Sequence, residues 1–291
     1  MSKKIRALLL EAQDLLSSKD LSPREALTEA RLILAHLLNC KPLEVYFQDD
    51  TKINELFINK FKEILESRKR GVPLAYLLGE VEFYGYSFKV SPSVLIPRPE
   101  TEILVAEALK LLPSGGRVLE LGVGSGCISL TLALERPDLR LWGVEISREA
   151  LEIADQNRRR FSLDKRIFWI RGDWFSPFKK GSYFDLILSN PPYVSRKEWE
   201  NLSPDVRDFE PPIALLGGEE GFDFIYRTLE EAPFYMKPSG WLLFEIGFSQ
   251  AERVSQKALR CGYEFRFVRD FSGTKRVFVG KILAKNKTCT K

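Results

Sequence analysis

From Arg117 onward the chain alternates short apolar runs with helical spacing, and that alternation leaves few folds open to it. Arg117-Val118-Leu119-Glu120-Leu121 leads straight into Gly122-Val123-Gly124-Ser125-Gly126 and then into Cys127-Ile128-Ser129-Leu130-Thr131-Leu132-Ala133. Further apolar runs at 139–144, 166–171, 183–189 and 241–246 read as strands. A helix follows Ser147 with Ala150, Leu151, Ala154 and Asn157, and another ends over Ala232 to Pro238. Strand–helix repetition of this kind predicts a parallel sheet wrapped by helices, an α/β architecture. Tyr263 to Asp270 and Arg276 to Leu283 close the chain as an expected antiparallel pair at the sheet edge.

The segment before residue 70 has a different period. Ile5, Leu8, Leu9, Ala12, Leu15 and Leu16 fall on one helical face,. Ser22-Pro23-Arg24-Glu25 combines an N-cap serine, a proline in the first turn and a capping-box glutamate,. The helix it opens places Leu27, Ala30, Leu34 and Leu37 together, and Ile53, Leu56, Phe57, Phe61, Ile64 and Leu65 form a third stripe. Such stripes are ordinary core faces. Gly71-Val72-Pro73 breaks the pattern, and aromatic and β-branched residues from Tyr76 to Val94 suggest a short β-hairpin,. Leu95-Ile96-Pro97-Arg98-Pro99-Glu100-Thr101-Glu102 reads as the start of another helix,. The expected organisation is a helical domain over 1–70, a hairpin linker over 71–98 and the α/β domain over 99–291.

Composition removes several function classes. A chain of 291 residues with 44% hydrophobic and 29% charged residues is typical of a soluble globular protein,. The net charge of +4 resides in the tail: Lys281, Lys285, Lys287 and Lys291 face no acid, so residues 1–280 sum to zero and offer little support for direct nucleic-acid binding,. Cys40, Cys127, Cys261 and Cys289 are scattered without a CxxC pair, which suits reduced thiols and no metal site,. The single histidine, His36, lies in an apolar helical stretch, so histidine-based triads are nearly excluded. No apolar run approaches the ~20 residues that span a bilayer. A cytoplasmic monomer, without membrane association, is the expectation.

The chemistry-bearing residues gather at strand ends. The Gly122, Gly124 and Gly126 loop is a backbone a ligand can approach closely,, although GxGxG is not a dinucleotide fingerprint and is weak alone. Glu145 ends the next strand, about twenty residues on, where an acid can accept ribose hydroxyl protons. Asp173-Trp174 follows the third strand and can supply an acceptor and an aromatic wall for an adenine. Asn190-Pro191-Pro192-Tyr193 follows the fourth, where two prolines stiffen the backbone that presents an amide and an aromatic ring,. Each has a plain structural alternative: a Pro-Pro turn, a surface acid, a core tryptophan. Their recurrence at successive strand ends argues for a ligand site.

This arrangement resembles the Rossmann-like, class I S-adenosylmethionine-dependent methyltransferases, and most closely the protein N5-glutamine methyltransferases that modify peptide chain release factors. The likeness spans nearly the whole chain. It includes Gly71-x-Pro73, Ala75-Tyr76-Leu77-Leu78-Gly79-Glu80, Phe83-Tyr84-Gly85, the Leu95–Glu102 segment, Phe209-Glu210-Pro211 with Ala214-Leu215, and Glu245-Ile246-Gly247 with Gln250. Glu120 and Glu145 stand where that family often carries aspartate.

The resemblance implies a mostly parallel seven-stranded sheet with a small N-terminal helical substrate-recognition domain joined by a β-hairpin. It implies S-adenosyl-L-methionine as cofactor, bound by Gly122, Val123, Gly124, Ser125, Gly126, Glu145, Asp173, Trp174 and Asn190, with no metal. The substrate would be the glutamine of a Gly-Gly-Gln loop in a class 1 release factor, bound by Asn190, Pro191, Pro192 and Tyr193. Asn190, Pro191 and Tyr193 would carry the catalysis. Two rivals share the tetrapeptide: ribosomal-protein glutamine methyltransferases and DNA adenine-N6 methyltransferases. The latter need extra sequence for target recognition, whereas the 98 residues after Tyr193 are mostly consumed by sheet elements,.

Overall fold

The computed structural model describes residues 2–17 and 21–282. The chain divides into two units, one of Met1–Gly79 with Pro204–Phe209, the other of Glu80–Ser203 with Glu210–Lys291. The N-terminal unit contains β1 (Lys3–Lys4), α1 (Ile5–Ser17), α2 (Pro23–Leu38), the single turn α3 (Pro42–Val45), β2 (Lys52–Ile53), α4 (Glu55–Lys69) and α5 (Leu74–Leu78). The capping box forms as the sequence indicates: the Glu25 N–H donates to Ser22 Oγ at 3.3 Å, and the Ser22 N–H donates to the Glu25 carboxylate at 2.9 Å,.

The core of this unit comprises Ile5, Leu8, Leu9, Ala12 and Leu16 of α1, Ala26, Ala30, Ile33 and Leu34 of α2, and Phe61 and Leu65 of α4. The buried face of α2 is rotated from the expected stripe, with Leu27 and Leu37 only partly buried. α2 packs against both α1 and α4, and Ala26 and Ala30 let those backbones approach. Arg68 grips Glu29 through Nε and Nη2 at 2.7 and 3.0 Å, a two-pronged pairing suited to a half-buried ion pair. Leu56 is exposed and Ile53 falls in β2. Tyr76 lies in α5, which stops where Gly79 takes a left-handed φ of 73°.

The second unit begins with the hairpin β3 (Glu80–Phe83) and β4 (Tyr86–Lys89). Tyr84 and Gly85 both have positive φ, 53° and 76°, as a two-residue hairpin turn requires. There follow α6 (Thr101–Leu111), β5 (Arg117–Leu121), α7 (Cys127–Glu135), β6 (Arg140–Glu145), α8 (Arg148–Arg160), β7 (Ile167–Arg171), β8 (Phe184–Ser189) and α9 (Arg196–Glu200). The short α10 (Pro204–Arg207) belongs to the N-terminal unit. After it come α11 (Asp223–Glu231), β9 (Met236–Glu245), α12 (Ala251–Arg260), β10 (Tyr263–Arg269) and β11 (Lys275–Ile282).

The sheet order is β10-β11-β9-β8-β5-β6-β7. The five strands β9, β8, β5, β6 and β7 are parallel, and β11 runs antiparallel to both its neighbours. This is the mostly parallel seven-stranded Rossmann-like sheet. The terminal pair is antiparallel as expected, with β10 at the edge and β11 inserted between it and β9. The helix expected to end over Ala232 to Pro238 stops at Glu231, followed by a 3-10 turn at Ala232–Phe234, and β9 starts at Met236.

Two contacts fix the sheet's site end. Gly143 of β6 lies under Trp169 of β7, and a Cβ there would come within 2.5 Å of the indole and of Val123. Asn157 of α8 is fully buried; its amide nitrogen donates to the carbonyls of Lys89 and Ser125 at 3.0 and 2.9 Å, and its oxygen accepts the Lys89 N–H at 2.7 Å. One satisfied amide thus ties hairpin, helix and glycine loop together.

Cys40 and Cys127 are free thiols. Cys261 is buried at the end of α12. Cys289 and the tail lysines Lys285, Lys287 and Lys291 lie outside the described residues. Among the described residues, no helix is long and apolar enough to cross a membrane.

Candidate active site

Because β5 pairs in register with β6 and β8, Leu121 stands opposite both Val144 and Ser189. The next residues along these strands are Gly122, Glu145 and Asn190, so the three features emerge side by side at one sheet edge. Gly122, Gly124 and Gly126 have φ of 74°, 54° and 81°, a left-handed alternation that side chains resist. Nothing lies within 4 Å of where a Cβ on Gly124 would stand, whereas Gly126 is packed against Leu130, Trp169 and Ala154. The loop is therefore open toward solvent at Gly124 and closed against the fold at Gly126, which caps α7.

A cavity of about 370 Å³ opens over this edge, and its wall includes Gly122, Val123, Gly124, Ser125, Glu145, Asp173, Trp174, Asn190 and Pro192. Gly126, Pro191 and Tyr193 are not part of the wall. Glu145 is held at both oxygens: the N–H groups of Gly124 and Ser147 each donate to it at 3.0 Å. Each oxygen keeps a second lone pair for a ligand hydroxyl. Asp173 is paired with Arg227 of α11, whose Nη1 donates to both carboxylate oxygens at 2.8 and 3.0 Å. Trp174 is buried, donates from Nε1 to Thr228 Oγ1 at 2.9 Å and adopts a φ of 53°. A large side chain in that region is held by its surroundings at some cost in strain.

Behind the wall, the tetrapeptide is fixed by groups from distant parts of the chain. Tyr193 Oη donates to Glu245 Oε1 at 3.1 Å, and Thr101 Oγ1 donates to Glu245 Oε2 at 2.7 Å. Asn190 Nδ2 donates to Thr101 Oγ1 at 3.2 Å. The Tyr193 carbonyl accepts from Gln250 Nε2 at 3.0 Å. Gly217 and Gly221 back the loop so closely that Cβ atoms would fall 2.5 Å from the Pro192 carbonyl and 2.3 Å from that of Tyr193. Burial and the neighbouring Glu245 carboxylate push the Tyr193 phenol well above its ordinary pKa.

Thr101, Phe224 and Arg227 line the cavity, and Glu245 supports it, yet sequence reasoning assigned them no role. Thr101 and Glu245 sat inside segments read as a helix start and a strand; Arg227 carried no local signal. Among the described residues, no group of three or more His, Cys, Asp or Glu side chains has the placement to hold a metal.

The family described as PrmC N-terminal domain matches residues 7–79, and that described as methyltransferase small domain matches residues 99–203. A release factor glutamine methyltransferase from Koribacter versatilis is 41% identical over 262 residues, covering 89% of this chain and 91% of its own. The chain belongs to the release factor glutamine methyltransferase family. A second member, from Aquifex aeolicus, is 35% identical over 255 residues, covering 87% of this chain and 90% of its own. Among solved structures, a methyltransferase from Pyrococcus furiosus superposes with a TM-score of 0.53 at 20% identity, covering 69% of this chain and 91% of its own, a likeness of fold.

Membership places the chain among the S-adenosylmethionine-dependent methyltransferases, and the residues present fit such a cofactor. The cavity is of the size that encloses a small molecule, and the glycine loop leaves a cradle at Gly124. Glu120, near the end of β5, is fully buried and not part of the cavity wall: Oε2 accepts the Ser129 N–H at 3.1 Å, while Oε1 has no partner among the described residues. Burial, reinforced by the Glu145 charge, pushes this carboxyl from the usual 4.5 up to about 8,.

In the ligand-free methyltransferase this group has a defined pH signature. Below about 4.5 the carboxyl is neutral both folded and unfolded and costs nothing. Between 4.5 and about 8 the unfolded chain binds fewer protons than the folded one, so stability falls as pH rises; above 8 the loss is constant,. Glu120→Gln keeps an acceptor for Ser129 and removes the titration. Its melting temperature should exceed the parent's at pH 8, by roughly 2–4 °C for each kcal/mol relieved, and the gain should shrink at pH 5. Calorimetric scans showing an equal or reversed gain at the two pH values would reject this account.

Proposed function

We propose that this methyltransferase transfers a methyl group from S-adenosyl-L-methionine to the side-chain amide nitrogen of the glutamine in the Gly-Gly-Gln loop of class 1 peptide chain release factors. In this reading it acts as a cytoplasmic monomer without direct nucleic-acid contact. One observation carries it: Asn190 shares a cavity wall with Gly122, Gly124 and Glu145, so an amide acceptor converges with the features suited to the cofactor.

The cofactor supplies an activated methyl group with its own leaving group. The glycine loop from Gly122 to Gly126 and Glu145 would hold it, with Asp173 and Trp174 flanking. A primary amide is a weak nucleophile because its lone pair is delocalised into the carbonyl. Asn190 Oδ1 and the Pro191 carbonyl, accepting the two amide protons, would orient the nitrogen and favour the positive charge it gains during attack. Tyr193 would flank the planar amide, and Pro192 would keep the loop stiff. The methylated nitrogen is strongly acidic and loses its extra proton to water, so no strong base is needed for this chemistry.

Asn190→Ala should cut methyl transfer by about a hundredfold or more with cofactor affinity within about threefold of the parent. Glu145→Ala should show the opposite balance, weakening cofactor binding by about tenfold or more, the loss of one charge-assisted hydrogen bond. Labelled-methyl transfer and titration calorimetry separate the two, and near-normal turnover of Asn190→Ala would remove that residue from its role. Mass spectrometry of the modified release factor locates the methyl; its appearance on a ribosomal protein or on DNA adenine would favour those rivals.

The N-terminal helical unit is proposed as the surface that receives the release factor. Leu43 and Phe47 are 73% and 89% exposed beside half-exposed Tyr46, and apolar side chains gathered in the open are characteristic of interaction sites. Phe47→Asp should raise KM for intact release factor about tenfold, equivalent to about 1.4 kcal/mol. KM for a short Gly-Gly-Gln peptide should be unchanged; an equal rise for both substrates would refute a docking role.

A further inference from the structure

Thr101 and Glu245 are 2% and 1% exposed, and Thr101 is itself part of the cavity wall. A threonine hydroxyl has one proton to give. Here it is given to Glu245 Oε2 at 2.7 Å, while Glu245 Oε1 takes the Tyr193 hydroxyl proton at 3.1 Å. Each oxygen of this carboxylate is thereby met by a hydroxyl that donates to it. Thr101 Oγ1 is then left with lone pairs alone on its other side. The Asn190 amide, 3.2 Å away, meets it with Nδ2. Turned the other way, Asn190 would set Oδ1 against an oxygen that has no proton to offer. The two ends of an asparagine amide are nearly the same shape, so only this proton inventory tells them apart.

We propose that Thr101, oriented by Glu245, is a positioning residue that fixes which end of the Asn190 amide faces the cavity, turning Nδ2 away and presenting Oδ1 as an acceptor. This inference rests on the reading of Asn190 as the residue that holds the substrate amide. With Oδ1 presented, the site accepts an NH2 group; with Nδ2 presented, it would repel one. The direction originates two hydrogen bonds away, in a carboxylate at the end of β9. Burial raises the affinity of Glu245 for a proton, and the Glu100 charge adds to that; the two hydroxyl donors and Arg276 oppose it.

The test compares two substitutions with opposite losses. Thr101→Val keeps the shape and removes the acceptor, whereas Thr101→Ser keeps the hydroxyl and removes a methyl group. For the positioning role, Thr101→Val lowers kcat about tenfold, the effect of leaving a buried N–H unmet, with KM for release factor and Kd for S-adenosylmethionine within about twofold of the parent. Thr101→Ser retains most of kcat. A packing role predicts the reverse order, so a valine variant at parental kcat, or a serine variant as impaired as the valine one, overturns the proposal. Should Thr101→Val not fold, Thr101→Ala, which also lacks the acceptor, is read in its place. A second readout needs no substrate: in asparagine-labelled protein, the Asn190 side-chain NH2 protons should exchange slowly with water in the parent and Thr101→Ser and rapidly in Thr101→Val. Unchanged exchange in the valine variant sinks the proposal. If the parent leaves the Gly-Gly-Gln glutamine unmodified, the functional reading fails, and the exchange experiment alone judges the role of Thr101.

Discussion

The in-register pairing of β5 with β6 on one side and β8 on the other is the constraint on which the rest of this structure depends. Leu121 is the common rung, opposite Val144 and Ser189, and each strand then releases its ligand-facing residue at the same height. The chain reaches β6 and β7 on one flank of β5 and returns to β8 on the other, so the crevice forms where the strand order reverses,. A slip of one residue in either pairing would exchange the side chains packed on the two buried faces and would also separate Asn190 from Gly122 and Glu145. Apolar burial along Val118, Leu119, Leu186 and Ile187, all fully buried, therefore specifies the site as firmly as it specifies the sheet.

Local signals were read well where one short stretch contained the whole cause. β5 occupies Arg117–Leu121 as expected, the glycine loop turns where its glycines stand, and the Ser22 capping box starts α2. The misses share a different origin. The buried face of α2 depends on having helices on two sides. α12 has only Val254 and Ala258 buried on an otherwise polar segment, too sparse a stripe to read. The β9 strand begins at Met236, ahead of a proline and a glycine that argue against a strand; Met236 pairs with Phe184, the register then shifts, and the ladder resumes at Trp241 beyond both.

The site was legible as a list of strand ends and illegible as a network. Asp173 is visible from its position, but Arg227 reaches it from 54 residues further on. Thr101, the Asn190–Tyr193 loop and Glu245 come from three separate segments and meet only after the sheet is assembled. The sequence shows which residue types stand at each edge; which atom donates and which accepts follows from partners brought together by the fold. Glu120 makes the same point for charge, since a carboxyl in a strand looks like any other acid until burial alters its proton affinity.

Gly217 and Gly221 carry a consequence for how the tetrapeptide can be reused. Their backbones lie against the Pro192 and Tyr193 carbonyls with no space for a side chain, and Gln250 closes the remaining side of Tyr193. The shape of the loop is thus moulded from outside as much as by its own prolines. A graft of Asn-Pro-Pro-Tyr onto another strand end would transfer the letters and leave the mould behind. The smallest portable unit is a discontinuous one: the four residues, the glycine segment at their back, and the glutamine that pins them from the start of α12.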